Sequence, residues 1–105
     1  MLVNVKSYIE TLTEIESRII ESDLRTALAE YNNDIQRVDV RLTSSVNEGN
    51  DELQGNRCLV KVVFSKSDSI VVQETNVDIF TAYRYCKNKV LYSIECRDKD
   101  SSLVQ

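Results

Sequence analysis

Ile35-Gln36-Arg37-Val38-Asp39-Val40-Arg41-Leu42-Thr43 alternates apolar with charged side chains from Arg37 to Leu42. Successive side chains of a strand point to opposite faces, so Val38, Val40 and Leu42 share one face while Arg37, Asp39 and Arg41 share the other. One dry and one wet face predict a strand in a sheet covered on a single side. The neighbouring segments must supply both the cover and the rest of that sheet.

Upstream, from about Thr13 to Tyr31, the period lengthens. Ile15, Ile19, Leu24, Leu28 and Tyr31 recur at three- to five-residue intervals, close to one helical face, and Glu14/Arg18 and Glu21/Arg25 stand four residues apart on exposed sides. Thr13 with Glu16 has the form of a capping box, and Asn32-Asn33-Asp34 is a stop. Leu2 to Tyr8 alternates again and predicts a first short strand.

Downstream, Ser44 to Asn56 is polar, holds Gly49 and Gly55 with Glu48, Asp51 and Glu52, and is expected to be the most mobile internal segment. Arg57 to Ser65 and Ile70 to Glu74 predict two further strands, joined by the tight Lys66-Ser67-Asp68-Ser69 turn. Because two of the connections after the second strand leave no room for a crossover helix, an antiparallel meander is expected there. Thr75-Asn76-Val77-Asp78 caps a last helix ending near Arg97, and Asp98 to Gln105 forms a polar tail. The order β-α-β-β-β-α predicts an α+β two-layer sandwich, a four-stranded sheet with two helices on one face. Residues 1–97 are read as one domain and 98–105 as a tail.

Composition narrows the function. The 105 residues include 42% hydrophobic and 29% charged side chains, which is globular, and contain no histidine, which removes the commonest general base and metal ligand. The two glycines are too far apart to cradle a phosphate, and no nucleophile-elbow, Walker or dinucleotide pattern occurs. Cys58, Cys86 and Cys96 lack zinc-site spacing. On one helix, Cys86 and Cys96 would lie roughly 15 Å apart, beyond the roughly 7 Å that a disulfide spans. Free thiols, no metal and no cofactor are expected, as is a cytoplasmic location, since Met1 to Glu10 has no signal-peptide pattern and no apolar run could span a membrane.

Charge is unevenly distributed. The chain has a net charge of -4, yet from Arg84 to Lys99 five basic side chains stand against Glu95 and Asp98. At 100° per residue, Ile79, Phe80, Tyr83, Cys86, Val90, Leu91 and Ile94 cover the arc of the last helix that faces the sheet. Tyr85, Lys89, Tyr92, Cys96 and Lys99 line the opposite side. Two tyrosines flanking a lysine can stack on unpaired bases while the ammonium meets a phosphate, so Lys89, Tyr85, Tyr92, Arg84 and Lys99 are the candidate RNA-binding residues. The alternative is a solvated face or a dimer contact. Lys87, inside the apolar arc, is read as a stem along the core edge with its head in water. Arg37, Asp39, Arg41 and Lys61 are read as charge pairs across the uncovered sheet face, with an RNA patch as the alternative.

The stretch Leu28-Ala29-Glu30-Tyr31-Asn32-Asn33-Asp34-Ile35 running into Val38-Asp39-Val40-Arg41-Leu42 resembles the segment joining the first helix to the second strand in the bacterial ribosome hibernation-promoting and ribosome-associated inhibitor family. Arg57-Cys58-Leu59-Val60-Lys61-Val62 resembles its third strand, Asp78-Ile79-Phe80-Thr81-Ala82 the start of its second helix, and Asn88-Lys89-Val90 a motif within that helix. The resemblance implies a fold similar to double-stranded RNA-binding domains. It also implies a regulatory, stress-response role without catalysis, in which the protein contacts the RNA of the small ribosomal subunit and holds ribosomes inactive. Leu91-Tyr92-Ser93-Ile94-Glu95-Cys96 departs from the basic, glutamine-rich continuation of the family. With the acidic net charge, this motivates the rival reading, a protein interaction module that kept the fold and lost most RNA contacts. A third reading, an enzyme using the carboxylates of Glu14, Glu16 or Asp39, would require a cleft enclosing two acids. The implied partner is the small ribosomal subunit, not DNA or a membrane. The uncovered sheet face or an edge strand could also pair two copies as a homodimer.

Overall fold

The structure, a computed structural model, describes residues 1–45 and 55–103, with the backbone alone described at 45 and 98–103. Its elements are β1 (Leu2–Ser7), α1 (Glu14–Ala27), a 3₁₀ turn (Ala29–Tyr31), β2 (Ile35–Ser45), β3 (Gly55–Phe64), β4 (Ile70–Asn76) and α2 (Ile79–Leu103). The strands form one sheet in the order β1-β2-β3-β4. β1 runs parallel to β2, across the connection that contains α1, whereas β2, β3 and β4 form the expected antiparallel meander. The β-α-β-β-β-α order and the two-layer α+β architecture are those predicted.

The strand pattern of β2 propagates through the sheet by register. Val38 stands opposite Val3 and Val62, Val40 opposite Val5 and Val60, and Leu42 opposite Ser7 and Cys58. These strand residues share one core with Ile20, Leu24 and Leu28 of the first helical segment and Ile79, Tyr83, Cys86, Val90 and Ile94 of α2. Both helices therefore cover one sheet face. The buried Cys86 thiol donates to the Cys58 carbonyl at 3.2 Å, and Cys58, Cys86 and the half-buried Cys96 are free thiols.

α1 starts as its sequence requires. The Thr13 hydroxyl accepts from the Glu16 amide at 3.1 Å while the Glu16 carboxylate accepts from the Thr13 amide at 3.0 Å, a reciprocal capping box. Arg18 pairs with Glu14 at 2.8 Å and Arg25 with Glu21 at 3.1 Å. The buried face, however, differs from the predicted one. Ile15 and Ile19 are 70% and 56% exposed, and Ile20 takes the core position instead. Leu24 and Leu28 anchor the packing, and only Ile20, four residues before Leu24, returns to their face. Ile19, five before, is rotated about 140° from Leu24.

Four boundaries also differ. The regular helix ends at Ala27 and a tighter turn carries the chain to Tyr31, and α2 continues past Arg97 to Leu103 through the segment expected to be a tail. No glycine or proline follows Arg97 to end the helix. β2 and β3 extend to Ser45 and from Gly55, which shortens the predicted Ser44–Asn56 connection. The expectation that this loop is mobile falls on residues 46–54, outside the described residues.

Candidate nucleic-acid interface

α2 packs its apolar arc on β3 and β4, so the opposite side of the helix faces solvent. Tyr85 and Tyr92 lie there, 49% and 69% exposed, and Arg84 is exposed beside Tyr85. The side chain of Lys99, the fifth predicted contact, lies outside the described residues. Lys89 sits between the two tyrosines as predicted but is not an unengaged cation: it forms an ion pair with Glu74 of β4. The hydrogen bond and the charge of Glu74 raise its pKa.

The other cations of α2 are tied to the fold as well. Lys87 pairs with Asp23 of α1 at 3.0 Å rather than extending freely into water, and its ammonium lies 5.7 Å from the Tyr83 ring centroid. The Tyr83 hydroxyl donates to the same Asp23 oxygen at 2.5 Å. Arg97 stacks over Phe64 at 4.9 Å and donates to the Asp68 carbonyl at 2.7 Å, which pins α2 to the β3–β4 turn. Of the basic side chains described on α2, Arg84 alone has no ion pair or stacking contact with a described residue.

The Asp23 junction joins the helices and carries a pH dependence. The hydrogen bond from Tyr83, aided by Lys87 and opposed by desolvation, holds the Asp23 carboxyl below its ordinary value. A depressed carboxylate pKa contributes stability above the unfolded-state value, near pH 4, and loses it as pH falls through the folded value. Asp23→Asn is therefore expected to lower stability near neutral pH by no more than about 1 kcal/mol, because the half-exposed pair is screened by water. Urea midpoints of the two proteins should converge on acidification toward about pH 2. A constant difference at all pH values would contradict this role.

The sheet face away from the helices has a different character. Its described residues include Asn4 and Lys6 of β1, Arg37, Asp39 and Arg41 of β2, Arg57, Leu59 and Lys61 of β3, and Val71, Gln73 and Thr75 of β4, aligned by register. A shallow depression of about 490 Å³ is lined by Asn4, Lys6, Arg37, Asp39, Arg41, Leu59 and Lys61, with Val40 beneath. The cross-strand pairing predicted here is limited: Asp39 bonds Arg37 along the same strand at 2.8 Å and accepts from Asn4 at 3.3 Å. Desolvation raises the Asp39 carboxyl, but the Asn4 hydrogen bond, the Arg37 guanidinium and the charge of Lys61 outweigh it and bring it below its ordinary value. Lys6, Arg41, Arg57 and Lys61 are exposed and form no ion pair with any described residue.

Among solved structures, the chain is similar to a ribosomal subunit interface protein from Coxiella burnetii. The TM-score is 0.73, and the alignment covers 94% of this chain and 99% of that one at 12% sequence identity. The two proteins share a fold. No family model matches the sequence. No curated protein matches it either. The likeness thus lies in architecture, and the element order read from the hydrophobic pattern is the part of the sequence that carries it. Among the described residues no helix is long and apolar enough to cross a membrane. Lys6 and Arg57 of the sheet face are absent from the candidates read from sequence, and Arg41 and Lys61 appear there as charge pairs with an RNA patch as the alternative. Their signal was present in the charged half of the β2 alternation, continued on β3 by Arg57 and Lys61.

Proposed function

We propose that this protein is a non-catalytic, ribosome-associated regulator of the cytoplasm that contacts small-subunit RNA and holds ribosomes inactive. The observation that carries the proposal is the fold shared, over nearly the whole chain, with a ribosomal subunit interface protein. Sedimentation of cell lysate on a salt series tests it. The protein should travel with the small subunit at low salt and leave it as salt rises, because phosphate contacts release counterions.

Within this reading, the outer face of α2 meets unpaired bases. Tyr85 and Tyr92 supply the stacking surfaces, Arg84 the unengaged charge, Lys89 a charge shared with Glu74, and Lys99 belongs to the same proposed stripe. Tyr92→Ala is expected to weaken cosedimentation with small subunits about tenfold if its ring stacks on a base. Unchanged association would remove α2 from the interface.

A second reading, a protein interaction module, draws on the exposed apolar pair Ile15 and Ile19 and on the internal pairing of the α2 cations. It predicts association that is insensitive to salt and to ribonuclease.

A further inference from the structure

We infer that the open face of the sheet, through Lys6, Arg41, Arg57 and Lys61, is a second contact surface, one that grips the phosphate backbone of double-helical RNA. The inference rests on the proposed RNA-contacting function and adds a surface and a ligand form to it.

Charge distribution is the first support. Thirteen Lys and Arg and seventeen Asp and Glu occur in the chain, and this one face takes five of the bases, Lys6, Arg37, Arg41, Arg57 and Lys61, but only Asp39 of the acids among its described residues. Eight bases and sixteen acids remain for everything else. A formal +4 on one side of a -4 protein orients the molecule toward a polyanion before contact.

The arrangement of the charges is the second. Lys6 and Arg41 stand opposite each other in the β1–β2 register, with no acid between them. Neighbouring strands lie about 4.8 Å apart, so these like charges repel, and pairs of opposite sign would serve the sheet better. An external anion relieves the repulsion. Arg37 and Arg41, and likewise Arg57 and Lys61, are separated by four residues along their strands, roughly 13 Å. The patch can therefore meet several phosphates at once.

The third support concerns what the face lacks. Its described positions within the four strands include no aromatic side chain, and the exposed Tyr8 stands just past the end of β1, two residues beyond Lys6. A sheet that reads single-stranded RNA stacks bases on aromatic rings, whereas duplex RNA is recognised through its shape and backbone. Cations without rings therefore suit a duplex backbone and give little sequence preference. The stacking chemistry lies on the exposed tyrosines of α2, so the two surfaces take different forms of RNA.

Titration of the full-length protein with a fluorescent RNA duplex of about 16 base pairs, from about 50 to 200 mM salt, tests the inference. The triple variant Arg41→Gln/Arg57→Gln/Lys61→Gln is expected to lower the salt slope by about two to three units and to weaken low-salt binding at least tenfold. Its melting temperature should change little, since all three positions are exposed and form no ion pair with a described residue. The single variant Lys61→Gln, expected to lower the slope by about one unit, decides the matter if the triple variant folds poorly. A wild-type protein that cosediments with small subunits but does not bind the duplex overturns this inference alone, as does a sheet-face variant that keeps the wild-type slope. A wild-type protein that binds neither duplex nor subunit overturns both this inference and the proposed function.

Discussion

Ile20→Ala is expected to destabilise the protein by about 2–4 kcal/mol, whereas Ile19→Ala, one position earlier, should change stability by less than about 0.5 kcal/mol. The two residues are chemically identical, so their difference isolates environment. Ile20 is buried against the sheet with Leu24 and Leu28, and truncation leaves a cavity among residues that are fixed by strand register and cannot close in. Ile19 already faces water, so its truncation removes little buried area. Because both substitutions raise helix propensity by the same small amount, propensity cancels in the comparison. Urea denaturation of the pair at neutral pH measures it, and equal destabilisation would mean that α1 is rotated from the face assigned here.

Leu42→Ala is expected to cost about 3–5 kcal/mol, the upper part of the range for leucine truncation. Leu42 is fully buried on a central strand, between Ser7 of β1 and Cys58 of β3. Its carbonyl also accepts from the Tyr8 amide at 2.8 Å, so its backbone is held on the side where the chain leaves β1. With both neighbouring strands in register, the surroundings have little freedom to collapse into the space. A loss below about 1.5 kcal/mol would indicate a loosely packed sheet centre. The same substitution at Leu59, on the open face, should be far milder, since it is only half-buried.

These predictions differ in how far they could be read in advance. Leu42 was assignable because a strand has a period of two: once Val38 and Val40 are apolar and Arg37, Asp39 and Arg41 charged, no neighbouring phase competes. Ile20 was not assigned because a tolerance of three to five residues admits both Ile19 and Ile20, and helical phase has to be measured from residues that are certainly buried. Requiring the four-residue step back from Leu24 would have selected Ile20.

The α2 face shows a related limit. The exposure of Tyr85 and Tyr92 followed from the helical pattern, and so did the place of Lys89 between them. That Glu74 would meet Lys89, and Asp23 would meet Lys87, did not follow, since those partners are 15 and 64 residues away along the chain. The Arg97 contacts with Phe64 and Asp68 are equally non-local.

By itself, the sequence determined the number and order of the elements, the covered face of the sheet, the capping box and the lack of histidine chemistry. All of these are local: they depend on periods of two and 3.6 residues, on spacing within a turn and on composition. Tertiary structure alone decided which cations find partners and which stay free. The free cations of β1, β2 and β3 became one surface only when strand register aligned them. Charge is long-ranged and its partners are set by the fold, so the residues left to meet a polyanion emerge only after every internal pair has formed.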